Sequence, residues 1–220
     1  MRHIVLINQE NKMSTVKNPI ENHIESRVSA NHFDAARLLA DHEIEELIRL
    51  ATKAPSAFNL QNWKFVAVRT ADAKARLLPH AYGQQKVVDA AVTFIVCGTL
   101  EPHRTLPVAL QPSVSAGLID EATRDGWIGA ARSMYQDNPA RQRDEAIRSA
   151  SLAAMTLMLA AQGRGLASGP MIGFDPVGVA REFGLASTDV PAMLVTVGHP
   201  APGNWPQKPR RPVADVLLFA

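Results

Sequence analysis

The stretch Ala54-Pro55-Ser56-Ala57-Phe58-Asn59-Leu60-Gln61-Asn62-Trp63 joins a helical pattern to a strand pattern without a glycine or an aspartate. An ordinary connector draws on Gly, Asp or a tight Pro turn. Here Ser56, Asn59 and Gln61 offer hydroxyl and amide groups able to hold a polar ligand. Four other stretches combine polar groups with unusual backbone composition. They are Arg27-Val28-Ser29-Ala30-Asn31, followed by Phe33-Asp34; Gly83-Gln84-Gln85-Lys86, ahead of an apolar run; Gly169-Pro170-Met171-Ile172-Gly173-Phe174-Asp175; and the basic group Lys208, Arg210 and Arg211. Taken singly, each has an ordinary reading. Arg27 reads as a surface charge, the loop as an Asx turn, Lys86 as a cation at a helix end, residues 169–173 as a turn, and the basic group as a solvated tail.

Other chemistries find less support. The seven histidines, His3, His23, His32, His42, His80, His103 and His199, offer no i, i+4 pair with a carboxylate partner, and Cys97 is the lone cysteine, so no metal site is expected. Cys97 lies in the apolar run VTFIVCG and reads as a buried small hydrophobe. Gly163, Gly165 and Gly169 follow a helical pattern instead of a strand, which fails the dinucleotide fingerprint. Ser113, Ser115 and Ser133 lack the G-x-S-x-G context of a serine nucleophile.

The elements that must position these groups follow from periodicity. Residues 42–54 place Ile44, Leu47, Ile48 and Ala51 on one helical face, with Asp41 as the expected N-cap and Pro55 as the stop. Residues 63–69 alternate as a strand, and a short helix is expected near 72–80. Residues 92–98 read as a strand covered on both faces. The pattern from 112 to 136 is weakly helical. Residues 140–162 carry the strongest helix, closed by Gly163 and Gly165. Its stretch from Leu152 to Ala161 is apolar nearly all round, which calls for a central place or a subunit interface. Asp175-Pro176 reads as an N-cap and first helical residue, with that helix ending at Gly184, and residues 191–198 as a further strand. The tail from His199 has no periodicity. This order of helices and strands is α+β or α/β.

The chain has 220 residues, 46% apolar and 20% charged, and a net charge of +2, too small to call for nucleic acid. The apolar run Ile4–Ile7 is too short for a signal peptide, and no run approaches the ~20 residues of a membrane span. A cytoplasmic protein without a membrane partner is the expectation. Met13 is a second candidate start, which would make residues 1–12 an extension. The expected organisation is a flexible extension over residues 1–20 and one domain over 21–220.

Together, in order, these stretches resemble the FMN-dependent nitroreductase family, from about Glu25 to Val216. APSAFNLQNWKF resembles its A-P-S-x-x-N-x-Q-P-W-x-F signature, RxSxxxFD its phosphate-binding segment, GLASGPMIGFDP the stretch along the flavin's reactive edge, and VGHPAPGN with KPRRP its closing basic segment. AYGQQKVVDAAVTFIV and RDEAIRSASLAAM are similar to a branch of NAD(P)H nitroreductases linked with quinone stress. The resemblance implies an α+β fold with a central, mostly antiparallel sheet flanked by helices. It further implies an intertwined homodimer with two FMN sites at the interface, the apolar helix lying at the dimer core.

It also implies roles. Arg27, Ser29 and Arg210 match phosphate-binding positions, helped by Lys208 or Arg211; guanidinium suits phosphate because its fork of donors matches the oxygens. Pro55, Ser56, Ala57, Asn59 and Gln61 would lie against the flavin and its ribityl chain. Asn31 would lie by the ring. Lys86 would stabilise negative charge on the reduced pyrimidine end. Met171, Ile172 and Gly173 would line the reactive edge. No catalytic triad is expected, because the cofactor carries the hydride step. The implied activity is ping-pong transfer of hydride from NAD(P)H, through flavin N5, to a nitroaromatic or quinone. The alternatives are dehydrogenation or dehalogenation of one metabolite on the same fold, or a flavin-binding module without catalysis. Trp127 and Tyr135 are candidates to line the acceptor pocket. The chain departs from the family at Asn62, where many members have Pro, at Asn31, where some have Lys, and at Ile172, where some have Glu.

Overall fold

The described residues open with a capped helix, α1 (Pro19–Ser26), whose Asn18 Oδ1 accepts from the Ile20 amide at 2.9 Å. The computed structural model describes residues 18–220. The extension expected over 1–20 therefore lies mostly outside the described residues, and its last two residues are helical.

Helix α2 (Asp41–Ala51) buries Ile44, Leu47 and Ala51, the face expected from their spacing. Its cap is Ala40, not Asp41: the Ala40 amide donates to Glu43 at 2.8 Å, while Asp41 pairs with Arg69. The helix also stops at Ala51, four residues short of Pro55. Strand β1 (Trp63–Val68), helices α3 (Ala71–His80) and α4 (Lys86–Asp89), and strand β2 (Val92–Thr99) follow. The weak pattern at 112–136 resolves into two helices, α5 (Pro102–Ser115) and α6 (Glu121–Tyr135). Gly117, at φ +69°, breaks them apart, and Asp120 caps the second by accepting from the Thr123 amide. Helix α7 (Pro139–Gly163) is followed by Gly165 at φ +73°. Residues 169–171, part of the stretch 169–173 read from sequence as a turn, close strand β3 (Ala167–Met171). Its Pro170 is tolerated because β3 is an edge strand. Helix α8 (Pro176–Glu182) starts at the expected Asp175 cap, β4 (Asp189–Gly198) follows, and a short 3-10 turn at Val213–Asp215 lies in the tail.

The four strands form one antiparallel sheet in the order β1-β2-β4-β3. The fold is α+β. One face packs on α2 and α7 through Leu47, Phe94, Val96, Ala150, Leu157 and Val195; the other packs on α3, α4 and α8 through Leu77, Val87, Ile95, Cys97, Val179 and Leu194. Burial on both faces is why β2 shows no alternation. On α7, Ala150, Ala153, Ala154 and Leu157 turn inward, whereas Leu152 and Met155 stay 41% and 37% exposed within the chain.

At Gly98 α7 lies close against the sheet: a Cβ there would lie 2.0 Å from the Ala146 carbonyl oxygen. Both atoms belong to backbone, so neither can rotate away. Gly98→Ala is expected to cost about 3 kcal/mol through overpacking. Thermal unfolding should show the midpoint about 10 °C lower. A midpoint within a degree of the parent would mean that α7 can slide at no cost.

Candidate functional site

The segment after α1 runs beside the β3 edge. Ser29 makes a parallel bridge to Ser168, and the Ala30 amide donates to the Ser168 carbonyl at 2.9 Å. The approach is close: a Cβ on Gly169 would lie 2.4 Å from the Ala30 carbonyl oxygen, so only glycine fits. Arg27 lines a recess of about 270 Å³ with Val28, Ser168 and Pro200. Its Nη1 is buried and has no hydrogen-bond partner. Such an orphaned cationic donor is costly, and an anion is its natural complement.

The closing tail returns to this segment. Asn204 Oδ1 accepts from the amides of Asn31 at 2.7 Å and His32 at 3.0 Å. Gln207 Nε2 donates to the Arg27 carbonyl at 2.8 Å, and Gln207 Oε1 accepts from Arg210 Nη2 at 2.8 Å. Arg27, Ser29 and Arg210 are therefore brought into one neighbourhood by β3 and the tail. Lys208 and Arg211 lie on the same arm, with the Lys208 ammonium 4.8 Å from the Trp205 ring centre.

Lys86 opens α4 at the same end of the sheet, and its Nζ donates to Asn31 Oδ1 at 3.3 Å. Burial alone holds its pKa below the usual lysine value. This ammonium is half-buried beside a neutral amide. Gln84, from the turn before it, donates to the Gly173 carbonyl at 2.7 Å and so ties the stretch after β3 to the Lys86 turn. Met171 is buried in that stretch, whereas Ile172 is exposed.

The 54–63 loop is unusual in backbone as well as composition. Phe58, Asn59 and Gln61 have φ of 51°, 57° and 48°, and the Gln61 amide donates to Ser56 Oγ at 2.9 Å. Three non-glycine residues in the left-handed region within one short loop carry a conformational cost that clusters at functional sites. Asn62, where the family signature has Pro, is 2% exposed and ties the loop to β2 by donating to the Thr99 carbonyl at 3.2 Å.

Within one chain, this loop does not meet the other groups. Trp63 pairs with Gly98, and Gly98 with Val190 at the start of β4; Ser168 pairs with Val197 near its end. From β1 to β3 the sheet spans about 14 Å, and from Val190 to Val197 about 23 Å along the strand. Pro55, Ser56, Ala57, Asn59 and Gln61 thus occupy one corner of the sheet. Arg27, Ser29, Asn31, Lys86 and the basic arm occupy the opposite one.

Trp127 packs at a tilt on Phe58, ring centres 6.4 Å apart. Tyr135 is buried, with its hydroxyl donated to Glu145 at 3.2 Å; burial and the neighbouring carboxylate push its pKa up to about 12. It therefore keeps its proton at neutral pH. Cys97 is likewise buried, its thiol pushed up to about 12 chiefly by burial, so it offers no thiolate. Among the described residues no cluster of His, Cys, Asp and Glu could hold a metal, and no helix is long and apolar enough to cross a membrane.

Sequence reasoning missed Asn204 and Gln207. Their signal is faint: two amides in an aperiodic, proline-rich tail, where only their tertiary partners give them meaning.

Residues 24–199 match the model of the nitroreductase family. YodC of Bacillus subtilis, named among the NAD(P)H nitroreductases, is 33% identical over 175 residues, covering 80% of this chain and 86% of its own. A Thermus thermophilus protein named NADH dehydrogenase is 34% identical over 177 residues, covering 80% and 84%. An Exiguobacterium sibiricum protein solved in complex with FMN superposes with a TM-score of 0.85 at 27% identity, over 92% of this chain and 98% of that one.

Proposed function

The chain belongs to the nitroreductase family, and from that premise we propose that it is an FMN-dependent oxidoreductase. It takes hydride from NADH or NADPH and passes it, in a ping-pong sequence, to a flat electrophile such as a quinone or nitroaromatic. The observation that carries the FMN reading is the buried, unpartnered Nη1 of Arg27, a residue that lines a recess and is joined to Arg210 through Gln207. A phosphate supplies the missing acceptor and the missing negative charge together.

The residues divide the work of holding the cofactor. Arg27, Ser29 and Arg210, with Lys208 and Arg211 near, take the phosphate. Asn31 and Lys86 face the ring end, where the half-buried ammonium favours negative charge. Met171, Ile172 and Gly173 border the reactive edge, and the exposed Ile172 makes that border apolar. When bound, FMN supplies the centre that accepts and donates hydride. The protein's part is orientation and electrostatics; no side chain is asked to act as acid or base.

Pro55, Ser56, Ala57, Asn59 and Gln61 come to this cradle from a second copy of the chain. Two observations support a homodimer. The cradle groups sit at opposite corners of the sheet within one chain. Apolar side chains also lack cover in their own chain: Leu152 and Met155 on α7, and Leu217, Leu218 and Phe219 in the tail.

The test is direct. The purified protein should show a flavin spectrum, release FMN on heating, bleach anaerobically with NADH or NADPH, and recolour with a quinone. A yellow protein that neither nucleotide bleaches would leave only a flavin-binding module. Lys86→Met should slow that bleaching about tenfold, the equivalent of about 1.4 kcal/mol of lost electrostatic support. Unchanged stopped-flow rates would remove Lys86 from the reductive step.

A further inference from the structure

Among the described residues, the basic arm at 208–211 makes no ion pair outside the tail, where Arg211 pairs with Asp215. Two uncharged side chains supply, among the described residues, the hydrogen bonds that tie residues 202–210 to the rest. Asn204 accepts from the Asn31 and His32 amides and donates to the carbonyls of His32 at 2.8 Å and Ala201 at 3.0 Å. Its amide thus uses two donors and two acceptor positions. Gln207 bridges the Arg27 carbonyl and the Arg210 guanidinium, both at 2.8 Å. Arg210 otherwise donates to the carbonyls of Lys208 and Pro209 on its own arm.

Neutral braces have a physical consequence. A carboxylate brace would hold the arm equally well but would neutralise Arg210 and repel an anion. Amides and carbonyls hold Arg210 without a carboxylate, so its charge stays uncommitted, whereas Arg211 pairs with Asp215 at 3.8 Å. The Asn204 brace also reaches the ring end, because Asn31, which it fixes by the main chain, accepts from Lys86.

We infer that Asn204 and Gln207 are positioning residues that hold the Arg210 arm beside Arg27, so that preference for the phosphorylated flavin over riboflavin depends on these two amides. This rests on the FMN reading above. Without the braces the arm must be ordered by the ligand itself, and that cost falls on affinity.

The experiment compares the full-length chain, stripped of flavin, with its Asn204→Ala and Gln207→Ala variants. Each is titrated with FMN and with riboflavin, and amide hydrogen exchange is read at Asn31 and His32. Each variant should bind FMN about tenfold more weakly while riboflavin changes by no more than about twofold. Asn204→Ala should also expose the Asn31 and His32 amides to faster exchange, with or without flavin. Gln207 is exposed, so its variant is expected to fold and keeps the test decisive if Asn204→Ala does not. An unchanged FMN-to-riboflavin ratio in the folded variants overturns the inference, as does an equal loss for both flavins. Wild-type protein that binds riboflavin as tightly as FMN, or neither, overturns the FMN reading and this inference with it. Wild-type preference retained by both variants overturns the inference alone.

Discussion

Arg27→Ala is expected to bind FMN about 30- to 100-fold more weakly than the parent chain and riboflavin equally well. The magnitude follows from a charge-assisted pair in a shielded recess, worth about 2–3 kcal/mol. The direction of the stability change is the more telling part. Nη1 is buried without a partner, so its removal relieves the flavin-free protein of an unsatisfied donor. The variant's flavin-free melting temperature should therefore hold or rise while its FMN affinity collapses. A residue serving only as structural support would show the reverse pattern, with lower stability and little change in the FMN-to-riboflavin ratio. Flavin fluorescence titration and thermal unfolding on the same samples read both quantities. Equal FMN affinity in parent and variant would remove Arg27 from the phosphate site.

The second large effect concerns assembly. Leu152→Glu combined with Met155→Glu is expected to give a folded, colourless monomer. Both side chains are exposed within the chain, and the inward face of α7 is made by other residues, so the chain's own core is little disturbed. At an apolar interface, by contrast, each unpaired carboxylate costs several kcal/mol. Loss of the second copy would remove Pro55, Ser56, Ala57, Asn59 and Gln61 from the cradle, and with them the flavin. Light scattering and the visible spectrum decide between outcomes. A yellow dimer would mean that α7 is not the interface, and a yellow monomer that the cradle is not shared. Mixing chains gives a sharper check. A heterodimer of Arg27→Ala and Asn59→Ala chains should retain one intact site, because both lesions fall in the other.

Much of the local structure was legible in the residues themselves. The buried faces of α2 and the Asp175 cap of α8 follow from spacing and side-chain chemistry within a few residues. These depend on interactions between near neighbours in the chain. Boundaries set by distant partners were not legible. Asp41 was drawn away from its capping role by Arg69, and Ala40 took the cap through Glu43. Residues 169–173 look like a turn because Gly169, Pro170 and Gly173 punctuate them; residues 167–171 form a strand because β4 pairs along one edge, and Gly169 lets the Ala30 carbonyl approach the other.

The site divides in the same way. Sequence alone identified the chemistry: which guanidinium, amide and ammonium groups were available, and their order along the chain. Only the tertiary structure decided which of them share a space. Sheet order puts the 54–63 loop and the Arg27 segment at opposite corners, and the Gln207 amide joins Arg210 to Arg27, far apart in the chain. The reason is physical. A side chain's chemistry is local, whereas proximity between distant segments is set by the strand register and packing of the whole chain.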